Sequence, residues 1–121
     1  MSFLLDSNIL IHSARPEMQL QRWIQDPEAA VSAISQVEVL GFADLRPTAQ
    51  LYFEATFELL EIIAVSDEII AVAVRFGQLY RLRAADAIIA AGAWLHGRTL
   101  VSEDTHFNRV LGLEVLNPVV R

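Results

Sequence analysis

Short apolar runs alternate with segments of helical periodicity along the whole chain, the sequence sign of an α/β fold built on a mostly parallel sheet. Phe3 to Leu5, Ala29 to Ala33, Glu61 to Val65, Thr99 to Val101 and Glu114 to Leu116 read as five short strands. The segments between them read as helices: Asn8 to Ala14, Glu17 to Gln25 behind Pro16, Ser35 to about Leu45, Thr48 to Leu60, Asp67 to Tyr80 and Ala84 to His96. Asp104 to Val110 is a shorter helical segment. Ser35 fits an N-cap because Glu38 completes a Ser-x-x-Glu capping pattern. Thr48 and either Ser66 or Asp67 fit the caps of the next two helices, and Gly97 ends the last long one. Nothing resembles a linker or a repeat, so residues 1–121 read as a single domain.

Composition narrows the chemistry. Of 121 residues, 54% are hydrophobic, enough for one well-filled core. No apolar run reaches the roughly 20 residues that span a bilayer, and the opening Met-Ser-Phe-Leu-Leu-Asp is unlike a secretory signal. The expectation is a cytoplasmic protein with no membrane partner. Cysteine is absent, which excludes disulfides, thiolate nucleophiles, zinc ribbons and iron–sulfur clusters and leaves oxygen and imidazole as metal ligands. All nine basic side chains are arginine, so no mechanism can use a lysine. That rules out a phosphoryl-accepting receiver domain, whose size and acidic strand ends are otherwise comparable. The net charge of −6 opposes loose binding to nucleic acid, so any such role needs a local site.

Four carboxylates qualify for such a site. In open α/β sheets ligands bind beyond the carboxyl ends of the strands. Asp6 directly follows the first strand, Asp104 lies three residues past Val101, and Glu38 and Asp86 fall near helix starts, so all four can face one sheet edge. Taken singly, an acid in such a place is more often a helix cap or a solvated charge. Asp86 departs from that rule because it interrupts the apolar run Ala84-Ala-Asp-Ala-Ile-Ile-Ala-Ala91, and Asp6 because apolar residues flank it on both sides. Clustered carboxylates need protons or a hard divalent cation, and magnesium or manganese is the natural choice. Such a site suits hydrolysis of a phosphodiester.

Those residues also carry a family resemblance over nearly the whole chain. Phe3-Leu-Leu-Asp6-Ser-Asn8-Ile-Leu-Ile resembles the first motif of the PIN-domain nucleases, specifically the VapC-type ribonuclease toxins of toxin–antitoxin pairs. Ser35-Gln-Val-Glu38-Val-Leu resembles the second motif, Leu82-Arg-Ala-Ala-Asp86-Ala-Ile-Ile-Ala-Ala the third, and Leu100-Val-Ser-Glu-Asp104-Thr-His-Phe107 the fourth. The resemblance implies a PIN-like three-layer fold with about five parallel strands between helices. It implies an Mg²⁺ or Mn²⁺ site made by Asp6, Glu38, Asp86 and Asp104, with Asp6 and Asp86 the foremost ligands. Asn8 and Ser102 match polar positions that hold a carboxylate or an ordered water in place; the family more often has threonine where Ser102 stands. It further implies cleavage of RNA, a homodimer, and a cognate antitoxin protein that blocks the site.

The remaining polar residues offer less. Arg81 and Arg83, with Arg75, Arg98 and Arg109, are candidates for RNA-phosphate contacts or for surface ion pairs. His12, His96 and His106 lack metal-binding spacing, and Glu103 reads as a surface charge. Leu51, Tyr52, Phe53, Phe57, Leu59 and Leu60 exceed what one buried helical stripe requires, which leaves apolar surface for a partner. The functional expectation is a metal-dependent endoribonuclease acting as a toxin. The alternative is a catalytically inactive PIN-like interaction module, against which all four acidic positions are intact.

Overall fold

The computed structural model describes residues 1–119. Five parallel strands form the central sheet: β1 (Phe3–Leu5), β2 (Ala29–Ser32), β3 (Glu61–Ile63), β4 (Thr99–Val101) and β5 (Val115–Leu116). Their spatial order is β3-β2-β1-β4-β5, which puts the first strand at the centre. The helices are α1 (Ser7–Ser13), α2 (Gln21–Ile24), α3 (Ala33–Leu40), α4 (Pro47–Leu59), α5 (Asp67–Tyr80) and α6 (Ala84–Leu95). Two 3₁₀ turns cover Pro16–Met18 and Thr105–Arg109. Among the described residues no helix is long and apolar enough to cross a membrane.

The three inner strands β2, β1 and β4 are covered on both faces, and the two-residue period of a strand divides their side chains between two cores. Leu4, Ala30 and Leu100 share one row and pack with Ile69, Ala73 and Phe76 of α5 and Ile89, Ala90 and Ala93 of α6. One residue on, Leu5, Val31 and Val101 face the other way, against Ile9 and Leu10 of α1, Trp23 of α2, and Phe53 and Phe57 of α4. This is the expected three-layer arrangement of helices about a parallel sheet.

Three local expectations are corrected. The second strand ends at Ser32, and Ser32 rather than Ser35 caps α3, accepting a hydrogen bond from the Ile34 amide at 3.2 Å. Glu38 consequently falls in the second turn of α3, and that helix stops at Gly41 instead of running to Leu45. The expected helix from Glu17 to Gln25 is broken by Gln19 in the left-handed conformation, φ 56°. On an unbroken helix Met18 and Leu20 would point about 200° apart; the break rephases the chain so that Met18 packs against the same core as Leu20, Trp23 and Ile24. Finally, α4 opens at Pro47 behind Arg46, so Thr48 is not its cap.

Candidate active site

The chain leaves β1 toward β2 on one side and later returns to place β4 on the other. The carboxyl ends of β1 and β4 therefore flank a topological switch point, where the diverging connections open a crevice. Asp6 stands at the end of β1, and Ser102, Glu103 and Asp104 follow β4.

Asp6 is buried and both its oxygens are held. The Ser7 amide donates to Oδ1 at 2.8 Å, making Asp6 the cap of α1, and the Ser102 hydroxyl donates to Oδ2 at 2.8 Å. Ser102 Oγ in turn accepts from the Asp104 amide at 3.0 Å, so one hydroxyl ties the segment after β1 to the segment after β4. Asp104 caps the 3₁₀ turn that follows. Its Oδ1 accepts from the His106 amide at 2.9 Å and lies 2.6 Å from His106 Nδ1. Both contacts use Oδ1, so among the described residues Oδ2 takes no hydrogen bond.

Glu38 enters from α3 and is held by a residue the motif reading passed over. Ser7 Oγ lies 2.7 Å from Glu38 Oε1 and 2.8 Å from the fully buried Ser35 Oγ. A hydroxyl has one proton, so Ser7 gives it to the carboxylate and accepts one from Ser35. Ser35 is thereby committed to a tertiary bond, the reason it does not serve as a cap. Its place in an otherwise apolar stretch, opposite the Asp-Ser-Asn string, is the only local hint of this relay.

Asp86 sits in the first turn of α6, half-buried. Burial raises its carboxyl above the usual range, and the charges of Asp104 and Glu38 raise it further, against a weaker opposite pull from Arg83 and His106. Asp6 is pushed from 3.8 to about 6, first by burial; the Ser102 hydrogen bond opposes this, while Asp86 and Glu38 add to it and the Ser7 amide subtracts. Asp86 thus lies within the field of Asp104 and Glu38, and Asp6 within that of Asp86 and Glu38.

The other candidates are less closely engaged. Asn8 is exposed in the first turn of α1 and forms no side-chain hydrogen bond with another described residue, whereas Ser102 is central. Arg81, in the left-handed conformation at φ 56°, and Arg83, at the N-cap of α6, are exposed, and the charge of Arg83 acts on Asp86. Arg98 is at the wrong end for RNA: it precedes β4 and bonds the Phe3 and Glu28 carbonyls and Glu61 at the amino edge of the sheet. Glu103, expected as a surface charge, is largely covered and pairs with His12 at 3.0 Å.

The donor set suits a hard cation. Carboxylate oxygens in a field that already disfavours full ionisation gain most from a divalent ion. Among the described residues no three acidic or imidazole groups converge tightly enough to cage an ion alone. Asp86 and Oδ2 of Asp104, which accept no hydrogen bond from the described residues, and the second lone pairs of Asp6 are the oxygens left for it.

An all-parallel five-stranded sheet with acids gathered at its switch point defines a PIN-like α/β domain. The PIN domain profile matches residues 3–113, and the chain belongs to the PIN domain family, as its four motifs indicated. A toxin–antitoxin complex from Klebsiella pneumoniae contains a chain 33% identical to this one, with a TM-score of 0.79, covering 97% of this chain and 98% of that one. The VapBC2 complex of Rickettsia felis, solved on a DNA fragment from its promoter, matches at 21% identity with a TM-score of 0.80 over 97% and 98% of the two chains. FitAcB of Neisseria gonorrhoeae matches at 24% and 0.76, over 96% and 97%. No curated protein sequence matches significantly.

Proposed function

We propose that residues 1–121 form one nuclease domain, a metal-dependent endoribonuclease acting as the toxin of a toxin–antitoxin pair. The observation that carries this reading is the buried Asp6 at the switch point of a PIN domain, tied through Ser102 to the segment of Asp104 and raised by Asp86 and Glu38, with Asp86 raised in turn by Asp104 and Glu38. Asp6 and Asp86 are the residues that would hold Mg²⁺ or Mn²⁺. Such an ion supplies Lewis acidity toward the phosphate and lowers the cost of forming hydroxide. Asp104 and Glu38 would bind the ion directly or through water, or orient the attacking water, while Ser7 and Ser102 keep Glu38 and Asp6 in fixed positions. Arg81 and Arg83, exposed beside the cluster, bind flanking phosphates of the RNA and set its path across an otherwise acidic surface.

The solved neighbours named above include toxin–antitoxin complexes, and this supports a cognate antitoxin as partner here. Leu51 and Leu59 on α4 and Ile70 and Val74 on α5 are exposed apolar groups that suit an antitoxin segment and a homodimer contact. The reading carries with it a cytoplasmic location, where RNA is available. It is tested by incubating the antitoxin-free protein with labelled structured RNA in Mg²⁺, Mn²⁺ or excess chelator, beside Asp86→Asn. Cutting that needs the metal and is lost in the variant is the expected result. Equal cutting by Asp86→Asn, or cutting that persists in chelator, would overturn it.

A further inference from the structure

We infer that Glu103, through its bond to His12, is a positioning residue that fixes the loop carrying Ser102 and Asp104 against α1. The inference rests on the reading of the four acids as a metal site and adds to it a contact outside the metal-binding set. The segment Ser102 to Asp104 lies between β4 and the following 3₁₀ turn, beyond the regular ladder, and its backbone tie to the sheet is the Ser102 amide on the Leu116 carbonyl at 2.9 Å. Its place over Asp6 therefore depends on side chains. Ser102 reaches Asp6, Asp104 turns back on its own 3₁₀ turn through His106, and Glu103 reaches sideways to His12 Nδ1 at 3.0 Å.

His12 belongs to α1, the helix that Asp6 caps and Ser7 opens. The Glu103 bond consequently joins the two segments that supply Asp6 and Asp104 at a second point, beyond the Ser102 hydroxyl. Two separated points fix an orientation where one leaves a pivot. Only 19% of the Glu103 side chain is exposed, so the pair is not a loose surface contact. Glu103 lies next to Asp104 in the chain and bonds α1 at His12. Its role is support of the adjacent Asp104.

The experiment measures Mn²⁺ binding by calorimetry to the full chain, together with amide exchange of Asp104 in the metal-free protein. Glu103→Ala and His12→Ala should each weaken Mn²⁺ binding by about tenfold, the low end for loss of a group that orients a ligand. Both should speed exchange of the Asp104 amide. The double variant should be no weaker than Glu103→Ala alone, because that substitution already removes the His12 bond. Glu103→Gln, which keeps an oxygen acceptor for the imidazole N–H, should restore most of the affinity and also covers the case in which an alanine variant fails to fold. Additive losses in the double variant would overturn the inference, as would a Glu103→Gln defect as large as that of Glu103→Ala. Affinity and exchange unchanged in the single variants would overturn it while leaving the metal-site reading intact. Absence of Mn²⁺ binding by the wild-type chain would overturn both.

Discussion

The two edges of the sheet are built from the same strands and treat charge in opposite ways. At the amino edge Arg98 gathers the Phe3 and Glu28 carbonyls and the Glu61 carboxylate, and Thr99 bonds Glu114, so each charged group there meets an opposite charge or a dipole. At the carboxyl edge four acids face one another with hydroxyls between them, and two are held above their ordinary ionisation range. The first arrangement lowers the free energy of the fold. The second raises it, and persists because the surrounding packing over-determines it. Local frustration of this kind marks where a chain serves a ligand instead of itself.

Crossing the two edges gives the largest contrast. Asp86→Asn should lower metal-dependent cleavage by about 10²–10³-fold, the scale for losing one transition-state partner, with a cooperative melt preserved. Arg98→Ala should do the reverse: unchanged cleavage by the folded protein, at a cost of about 2 kcal/mol from three lost charge-assisted bonds. A cleavage defect in Arg98→Ala as deep as in Asp86→Asn would break the comparison.

The next effect is one of pH. Folded Asp6 holds its proton up to about 6 while the unfolded chain releases it near 3.8, so between these values the native state binds more protons. Stability of the metal-free protein must then fall as pH rises through this window, by about 3 kcal/mol for this group. Chemical denaturation from pH 4 to 7 measures it, and Asp6→Asn should flatten the slope. A metal-free protein that gains stability over this range would contradict the assignment.

Smaller effects sharpen the picture. Ser7→Ala frees Glu38 and strands the buried Ser35 hydroxyl, which should cost about 1 kcal/mol in a thermal melt and weaken Mn²⁺ binding by about tenfold. Arg81→Gly removes a side chain from a left-handed position and should add about 1 kcal/mol of stability, while weakening RNA binding measured by fluorescence anisotropy. A gain in stability with unchanged RNA affinity would remove Arg81 from the RNA-binding surface.

The strands and the four acids were legible because both are local signals: an apolar run that stops at a carboxylate, and a carboxylate that interrupts an apolar helix. The bonds that organise the acids were not, because they join residues far apart in the chain. Ser7 meets Glu38 across 31 residues, His12 meets Glu103 across 91, and Ser102 meets Asp6 across 96. Ser35, with Glu38 three residues on, carries the local capping pattern, and only its tertiary bond to Ser7 shows why Ser32 caps the helix instead. Arg98 was within reach of sequence reasoning: in a parallel sheet a residue that precedes its strand lies on the edge away from the residues that follow the others.

The central place of β1 sets a timetable for synthesis. Phe3 pairs on one side with Ala29 and on the other with Thr99, so the central strand of the domain waits through the synthesis of β2, β3 and the helices between them and β4 before its second neighbour exists. Until Asp104 has been translated and has left the exit tunnel, no nascent chain holds the complete set of acids, however well its first half has folded. The order of strands thus delays the activity proposed here until β4 and the turn that follows it have been made.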